Sequence, residues 1–185
     1  MRNHGPWKIR KSADMYQDPW VRVQRDEVVR PDGLDGSYAT IHLRSGVCVV
    51  AVDDQANVHL TREFHYAVGR TTIEGVSGGI EDGESNRLSS RRELAEELGL
   101  EAKHWTHLGQ IDPFTASVYS TVDMYLAQGL SRCPTNLEGT ELIEPVVMPL
   151  ADAIEMVRTG GITHGPTCVV LLRLGLDSQL LADHS

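Results

Sequence analysis

The first 45 residues alternate between apolar and polar side chains, in runs at about 7–10, 20–24 and 39–43. Turn-forming residues separate the runs, most clearly at 31–36, where proline, aspartate and glycine occur together. Alternation with a period of two predicts strands with one buried face, and short turns predict antiparallel neighbours. The N-terminal part of the chain is therefore predicted to form antiparallel strands.

Strands and helices then follow one another along the rest of the chain. The continuously apolar, β-branched run 47–52 predicts a strand buried on both faces. The pattern also predicts strands at 58–64, 105–111, 122–127 and 145–148, helices at 86–98, 150–158 and 167–175, and a mostly loop-like glycine-rich stretch at 69–83. This order predicts an α/β fold with helices on both sides of a mixed sheet.

The helix predicted at 86–98 has signals at both ends. Ser85 is expected to be its N-cap, because a serine hydroxyl can accept a hydrogen bond from a free backbone N–H of the first turn. Gly99 is expected to end the helix in a left-handed conformation.

Three carboxylates fall on one face of this helix. At about 100° per residue, Glu96 and Glu97 lie within roughly 60° of Glu93, and the apolar side chains fall on the other side. Like charges at this spacing repel one another. The apolar side is expected to pack on the sheet, and the acidic face is expected to look outward, compensated by Arg91, Arg92 or a metal ion.

Composition narrows the function classes. The chain has 185 residues and a formal net charge of −9, and its basic residues are scattered, so neither nucleic acid nor an anionic membrane surface is an expected partner. A long apolar run and a secretory signal are both missing, which predicts a single cytoplasmic domain. The three widely spaced cysteines favour reduced core thiols over a disulfide or zinc site. An anionic substrate would need a cation to mediate its binding.

The stretch 78–100 carries the most specific motif. A glycine is followed after five residues by a glutamate and, after seven more, by Arg-Glu-Leu-Ala-Glu-Glu-Leu-Gly-Leu. An acidic helix face before a glycine is usually only a solvated surface. The complete spacing, however, arises by chance at on the order of one in ten million, at background frequencies of about 7% per residue type. It resembles the Nudix box at every defining position.

Resemblance to the Nudix family implies both a fold and a chemistry. The fold would be an α/β/α sandwich over a mixed sheet, and the activity would be metal-dependent hydrolysis of a nucleoside diphosphate linked to a further group. Such chemistry needs cations, because the diphosphate is protected by its own negative charge. By position, the resemblance assigns metal binding, usually of Mg²⁺ or else Mn²⁺, to Glu93, Glu97, Glu96 and the carbonyl of Gly78. It also assigns Arg92 and Glu96 to the catalytic machinery, with Arg92 and Glu84 holding loop and helix in register.

Within the family, the chain is similar to the ADP-ribose and nucleotide-sugar pyrophosphatases, in the extension 1–45 and in the stretches 60–65 and 73–78. In that subgroup the N-terminal strands help to form a homodimer with shared active sites. Residues 1–45 are therefore expected to be a dimerisation extension of one Nudix domain, whose core is 46–185. Glu74 matches a glutamate that often assists at the metal site.

The chain departs from the subgroup where substrate contacts are expected. His65 stands where an arginine commonly contacts phosphate, so Arg62 or Arg70 would have to substitute for it. The stretch 112–117 replaces a common Ser-Pro-Gly turn, and Ser120 stands where a glutamate is often found. Substrate binding is therefore assigned to Arg62, His65 and Arg70, while the identity of the base and sugar stays open.

Aromatic and histidine side chains add weaker candidates. Trp20, Tyr16 and Phe64 are suited to stacking on a purine, although core packing is the favoured interpretation of each. His164 precedes the last helix, where a plain surface position is favoured over a substrate contact. The pair at 104 and 107 enters a strand pattern, in which residues three apart face opposite sides, and this disfavours a shared metal.

The general base is sought in the acidic stretch 137–144, because the subgroup often takes its base from a loop after the box. Glu141 is the expected base, with Glu138 behind it, and an ordinary solvated loop is the alternative. The leading hypothesis is Mg²⁺-dependent hydrolysis of ADP-ribose or a related nucleotide sugar to a nucleoside monophosphate and a sugar phosphate. The alternatives are a nucleotide sensor without turnover and a hydrolase of nucleoside triphosphates or dinucleotides.

Overall fold

The computed structural model describes residues 1–135, 142–177 and 179–182. The strands are β1 (Arg2–His4), β2 (Trp7–Gln17), β3 (Val21–Val29), β4 (Asp35–Leu43), β5 (Gly46–Val52), β6 (Asn57–His65), β7 (Arg70–Glu74), β8 (Val76–Gly79), β9 (Leu100–Ile111), β10 (Val118–Tyr119), β11 (Val122–Arg132) and β12 (Glu144–Pro149). The helices are α1 (Asn86–Leu98), α2 (Leu150–Thr159), α3 (Gly165–Leu176) and α4 (Gln179–Ala182). The chain divides into two compact units, 1–45 with 112–121, and 46–111 with 122–185.

The first unit is built on a five-stranded sheet in the order β1-β2-β3-β4-β10. Its first four strands are antiparallel neighbours, and β10 joins β4 in parallel. The predicted N-terminal antiparallel strands are therefore confirmed. They are longer than the alternation indicated, because turn residues interrupt the sheet only between strands.

The second unit is built on a seven-stranded mixed sheet. Its main path is β12-β6-β5-β11-β9, with β7 paired to β6 and β8 paired to β5. The pair β5 and β11 is parallel, whereas β5 runs antiparallel to both β6 and β8. The predicted α/β fold with a mixed sheet is confirmed.

Helices cover both faces of this sheet. Alternate residues of β5, Val49 and Ala51, pack with Leu94 and Leu98 of α1. The alternating residues Val50 and Val52, whose side chains point to the opposite face, belong to a second core that includes parts of α2 and α3. All six residues of the run 47–52 are buried, as a strand between two helical layers must be.

The glycine-rich stretch 69–83 corrects the sequence analysis, because it contains two strands rather than mostly loop. The residues of β7 are partly β-branched and pair with β6, and β8 pairs with β5. Gly75 joins the two strands, and a Cβ there would lie 2.8 Å from the carbonyl oxygen of Val49. Some glycines of this stretch therefore serve close backbone packing rather than loop flexibility.

Across the described ranges, none of the helices combines the length and the apolar character that crossing a bilayer requires.

Candidate active site

Helix α1 begins and ends as its sequence indicates. The Ser85 side chain accepts a hydrogen bond from the backbone N–H of Leu88, and Gly99 ends the helix at a φ of 59°. These caps fix the helix register relative to the preceding strand. They thereby determine which side chains face β8.

The acidic face of α1 is turned toward the sheet rather than outward. Glu93 and Glu97 retain only 9% and 8% of their accessible surface, whereas Glu96 is partly exposed. The predicted grouping of three carboxylates is thus present, but two of them are buried. Burying ionised carboxylates is costly without compensating partners. This side of the helix is therefore not an ordinary solvated surface.

Strand β8 makes room for these two carboxylates. A Cβ on Gly78 would overlap the carboxylate of Glu93, so only glycine leaves space at this position. One residue earlier, the backbone N–H of Ser77 donates to Oε1 of Glu97 at 3.4 Å. The backbone of β8 therefore forms one wall of the carboxylate site.

Arg92 connects the glycine-rich stretch to the helix. It donates from Nε and Nη2 to the two carboxylate oxygens of Glu84, at 3.2 and 3.1 Å, and from Nη2 to the carbonyl of Gly79 at 3.1 Å. Its Nη1 lies 2.8 Å from Oε1 of Glu93 and 3.0 Å from Oε2 of Glu96. This arginine is therefore one positive group that compensates the acidic face.

The contact with Arg92 holds the pKa of Glu84 below its usual value, and a hydrogen bond from Ser89 acts in the same direction. The same pairing raises the pKa of Arg92. Because the ionised form of Glu84 is favoured in the folded state, it stabilises the fold above the pKa of the unfolded chain. That stabilisation is lost as the pH falls through the lowered pKa of the folded state.

Glu84→Gln is accordingly expected to lower the free energy of unfolding by about 2 kcal/mol at pH 7 and by much less at pH 3. Urea unfolding at the two pH values measures the difference. Glu101→Gln, which changes an exposed carboxylate of β9, is the control. An equal loss for Glu84→Gln at both pH values would contradict the assigned pKa shift.

A second cluster lies just before β8, around Glu74. Nε2 of His65 lies 3.1 Å from Oε1 of Glu74, and Nδ1 of His164 lies 3.3 Å from Oε2. Thr72 donates to Oε1 at 2.6 Å. Burial lowers the pKa of His164, while the negative charge of Glu74 opposes that shift. Glu74 thus has partners on both oxygens.

Thr167 ties this cluster to the backbone. Its hydroxyl is fully buried, accepts a hydrogen bond from the N–H of Gly75 at 2.8 Å, and lies 2.8 Å from Nδ1 of His164. The same oxygen is 3.7 Å from Sγ of Cys48. Burial raises the pKa of that thiol to about 11, so Cys48 is an uncharged core group.

Thr167→Val is expected to destabilise the protein by about 1–3 kcal/mol, because the buried N–H of Gly75 loses its acceptor. The free energy of unfolding in urea measures the change. Thr159→Val is the control, since its hydroxyl is exposed and donates to the carbonyl of Glu155 at the end of α2. Wild-type stability in Thr167→Val would show that this hydrogen bond contributes nothing.

The remaining candidate substrate residues are described by their own partners and exposure. Arg62 pairs with Glu144 at 3.2 Å, and Arg70 donates to Oγ1 of Thr163 at 2.9 Å. Trp20 belongs to the first unit, where it is 70% exposed. Core packing is the wrong interpretation for this tryptophan, and for the two other aromatic candidates, because all are exposed: Tyr16 and Phe64 are each at 56%.

The expected general base, Glu141, and Glu138 behind it both lie outside the described residues. Two further contacts were not anticipated from the sequence. Glu74 meets His164 although 90 positions separate them, and Nε2 of His107 lies 2.7 Å from the buried Asp123. A histidine just before a helix was the only local signal for the first contact, and it does not identify a partner.

The donors beside β8 are carboxylate and backbone oxygens, which are the ligands that hard divalent cations prefer. The space that Gly78 leaves for Glu93 fits such a site chemically. Among the residues with described positions, however, no group of three or more His, Cys, Asp or Glu side chains is arranged to hold a metal ion. The described arrangement has Arg92 in contact with Glu93 and Glu96.

Comparison with known proteins identifies this arrangement. Residues 42–162, about two thirds of the chain, match the NUDIX domain. The chain belongs to the Nudix family. Residues 7–41 match the nucleoside diphosphate sugar hydrolase N-terminal domain, which covers most of the predicted extension 1–45. The stretch 78–100, which resembles the Nudix box, runs from the end of β8 through the Glu84 loop and α1. The protein is a Nudix hydrolase, and members of this family generally use a divalent metal.

Individual relatives agree with the family. The ADP-ribose pyrophosphatase of Mycobacterium tuberculosis (strain ATCC 25618 / H37Rv) is 32% identical over 156 residues, which are 83% of this chain and 75% of that protein. The methanol dehydrogenase activator of Bacillus methanolicus is 22% identical over 175 residues, 94% of this chain and 95% of that one. The crystal structure of an ADP compounds hydrolase has a TM-score of 0.81 at 20% identity, covers 97% of this chain and 98% of that one, and thereby shows the Nudix fold.

Proposed function

We propose that this Nudix protein hydrolyses the diphosphate bond of ADP-ribose or a related nucleotide sugar, releasing a nucleoside monophosphate and a sugar phosphate, with Mg²⁺ or Mn²⁺. The observation that carries the proposal is the burial of Glu93 and Glu97 against the backbone of β8, within a complete Nudix box. The match of residues 7–41 to the nucleoside diphosphate sugar hydrolase N-terminal domain supports this substrate class. So does the relative named ADP-ribose pyrophosphatase.

The charge of the site explains why a cation is needed. A diphosphate is an anion, and ionised carboxylates would repel it. Glu93, Glu97 and Glu96, with the carbonyl of Gly78, are the groups we assign to a divalent metal. When bound, the metal would neutralise non-bridging phosphate oxygens and lower the pKa of the attacking water.

The chain's own residues supply positioning and proton transfer. Arg92 keeps the glycine-rich stretch and α1 in register through Glu84 and Gly79, so the carboxylates face β8. We assign the general base to Glu141. We further propose that Arg62, His65, Arg70 and Trp20 contact the substrate, and that residues 1–45 form the dimer contact of a cytoplasmic homodimer whose Nudix core is 46–185.

The experiment is a hydrolysis assay on a panel of ADP-ribose, other nucleotide sugars, dinucleotides and nucleoside triphosphates, each with Mg²⁺, Mn²⁺ or a chelator. Chromatography of the products identifies which bond is broken. Metal-dependent release of a nucleoside monophosphate from nucleotide sugars supports the proposal. Preferential cleavage of nucleoside triphosphates or dinucleotides would show that nucleotide sugars are not the substrate class.

The same panel addresses a second candidate, a nucleotide-binding regulator without turnover. The relative named methanol dehydrogenase activator favours it, because that name describes an effect on another protein. A nucleotide that raises the melting temperature without being hydrolysed under any metal condition would support the regulator and refute the hydrolase.

A further inference from the structure

The feature that the proposed mechanism leaves unexplained is the pair of histidines held by Glu74. Family resemblance assigns Glu74 to the metal, yet Oε1 already meets His65 and Thr72, and Oε2 meets His164. The Glu74 side chain is only 13% exposed. Its geometry suits a group that orients two imidazoles.

The contacts with Glu74 determine which ring nitrogens point away from it. A carboxylate only accepts hydrogen bonds, so the nitrogen facing it carries the proton. That nitrogen is Nε2 in His65 and Nδ1 in His164. Nδ1 of His65 and Nε2 of His164 are left as the outward nitrogens, and in a neutral imidazole each is a hydrogen-bond acceptor.

The hydroxyl of Thr167 completes the same arrangement. Its oxygen accepts a hydrogen bond from the N–H of Gly75, lies 2.8 Å from Nδ1 of His164 and lies 3.7 Å from Sγ of Cys48. The loop before α3 is thereby held to the residue that follows Glu74. His164, which is 25% exposed at its side chain, is fixed in place yet accessible.

The chemistry of the cluster suits the hydroxyl groups of a sugar. A phosphate would be held by a permanent cation such as Arg70, which lies opposite His65 in the strand register, whereas Glu74 offsets the charge that the two histidines can carry. Hydroxyl groups of a sugar can donate to the outward nitrogens.

The position of the cluster agrees with such a role. The N–H of Gly75 bonds Thr167, and two residues later the N–H of Ser77 bonds Glu97. Along a strand these positions are roughly 7 Å apart. A sugar joined to a diphosphate can reach from the histidines to the carboxylates.

We propose that His164 and His65 hydrogen-bond hydroxyl groups of the sugar half of the substrate, and that Glu74 is their positioning residue rather than a metal ligand. This assignment rests on the proposed hydrolase function and names the part of the substrate that the cluster recognises. It gives this chain a sugar contact at the position where the subgroup commonly has an arginine.

The test compares two substrates that share one diphosphate bond. ADP-ribose carries the sugar, and the β-methyl ester of ADP carries a methyl group in its place, so AMP is the product of both. His164→Asn is the informative variant, because an asparagine amide can replace Nδ1 toward Glu74 but offers nothing in place of Nε2. His65→Gln keeps the Nε2 contact in the same way. His59→Gln is the matched control, because His59 lies on the same strand as His65 but pairs through Nε2 with Asp53.

His164→Asn is expected to lower kcat/KM for ADP-ribose by at least about tenfold, mainly by raising KM. For the methyl ester, kcat/KM is expected to change by less than about twofold. His59→Gln is expected to affect both substrates equally and weakly. An equal fall on both substrates in His164→Asn, or no fall, overturns the sugar contact. If wild type hydrolyses neither compound under any metal condition, the hydrolase proposal fails, and the sugar contact fails with it.

Mn²⁺ binding, followed by electron paramagnetic resonance, tests the role of Glu74 without using activity. Glu74→Gln is expected to leave the Mn²⁺ affinity within about twofold of wild type, while it reduces the discrimination between the two substrates. Weakening of Mn²⁺ binding by tenfold or more would make Glu74 a metal ligand and overturn its positioning role.

Discussion

Replacing Glu97 with glutamine is expected to lower kcat for nucleotide-sugar hydrolysis by about a thousandfold and to leave the protein folded. The substitution keeps the shape of a side chain that is 8% exposed but removes its charge. A charge that holds a divalent cation at the transferring phosphate contributes several kcal/mol, and each 1.4 kcal/mol is worth a factor of ten in rate. Steady-state hydrolysis in Mg²⁺, with melting temperature as the check on folding, measures the effect.

Glu155→Gln is the matched control for this substitution. Glu155 lies on α2, where its side chain is 54% exposed and pairs with Arg158. Its loss is expected to change neither kcat nor the metal requirement, since exposed ion pairs contribute little. Turnover by Glu97→Gln within tenfold of wild type would remove Glu97 from the catalytic site.

Replacing Gly78 with alanine is expected to lower activity by at least about a hundredfold while the melting temperature falls by only about 2–4 °C. The new Cβ would overlap the Glu93 carboxylate, which lies at the end of a flexible side chain. The protein can therefore remain folded by moving that carboxylate away from β8. A displacement of about 1 Å in a catalytic group can cost two orders of magnitude in rate.

Gly161→Ala separates this effect from a general cost of replacing glycine. Its Cβ would meet the flexible side chain of Met156, at 3.1 Å from Cε, in the loop that follows α2. Stability is expected to change slightly and the activity to stay at the wild-type level. If Gly78→Ala retains full activity, the position of Glu93 against β8 is not required for turnover.

Much of the candidate site could be predicted because its signals are local. The caps at Ser85 and Gly99 depend on the nearest turn of helix, and the grouping of Glu93 with Glu97 depends only on helical periodicity. The mixed sheet follows from the order of strands and helices. These features are encoded by residues close together in the chain.

Predictions are wrong where the same residue type is compatible with two different structural environments. The glycines of 69–83 indicated a loop, but Gly75 and Gly78 give close packing beside strands. Trp20, with the two other aromatic candidates, was favoured as a core residue, yet all three are exposed. A single sequence does not distinguish a glycine needed for flexibility from one needed for space, nor a buried aromatic ring from an exposed one.

The Nudix box, the capped acidic helix, the excess of negative charge and the alternation of the N-terminal strands are all readable in the amino-acid sequence alone. The burial of Glu93 and Glu97 against β8, and the sharing of Glu74 by His65 and His164, are evident only in the folded chain. The physical reason is separation along the chain. Caps and periodicity act over a few residues, whereas a contact between positions 74 and 164 exists only once the sheet and α3 have packed together.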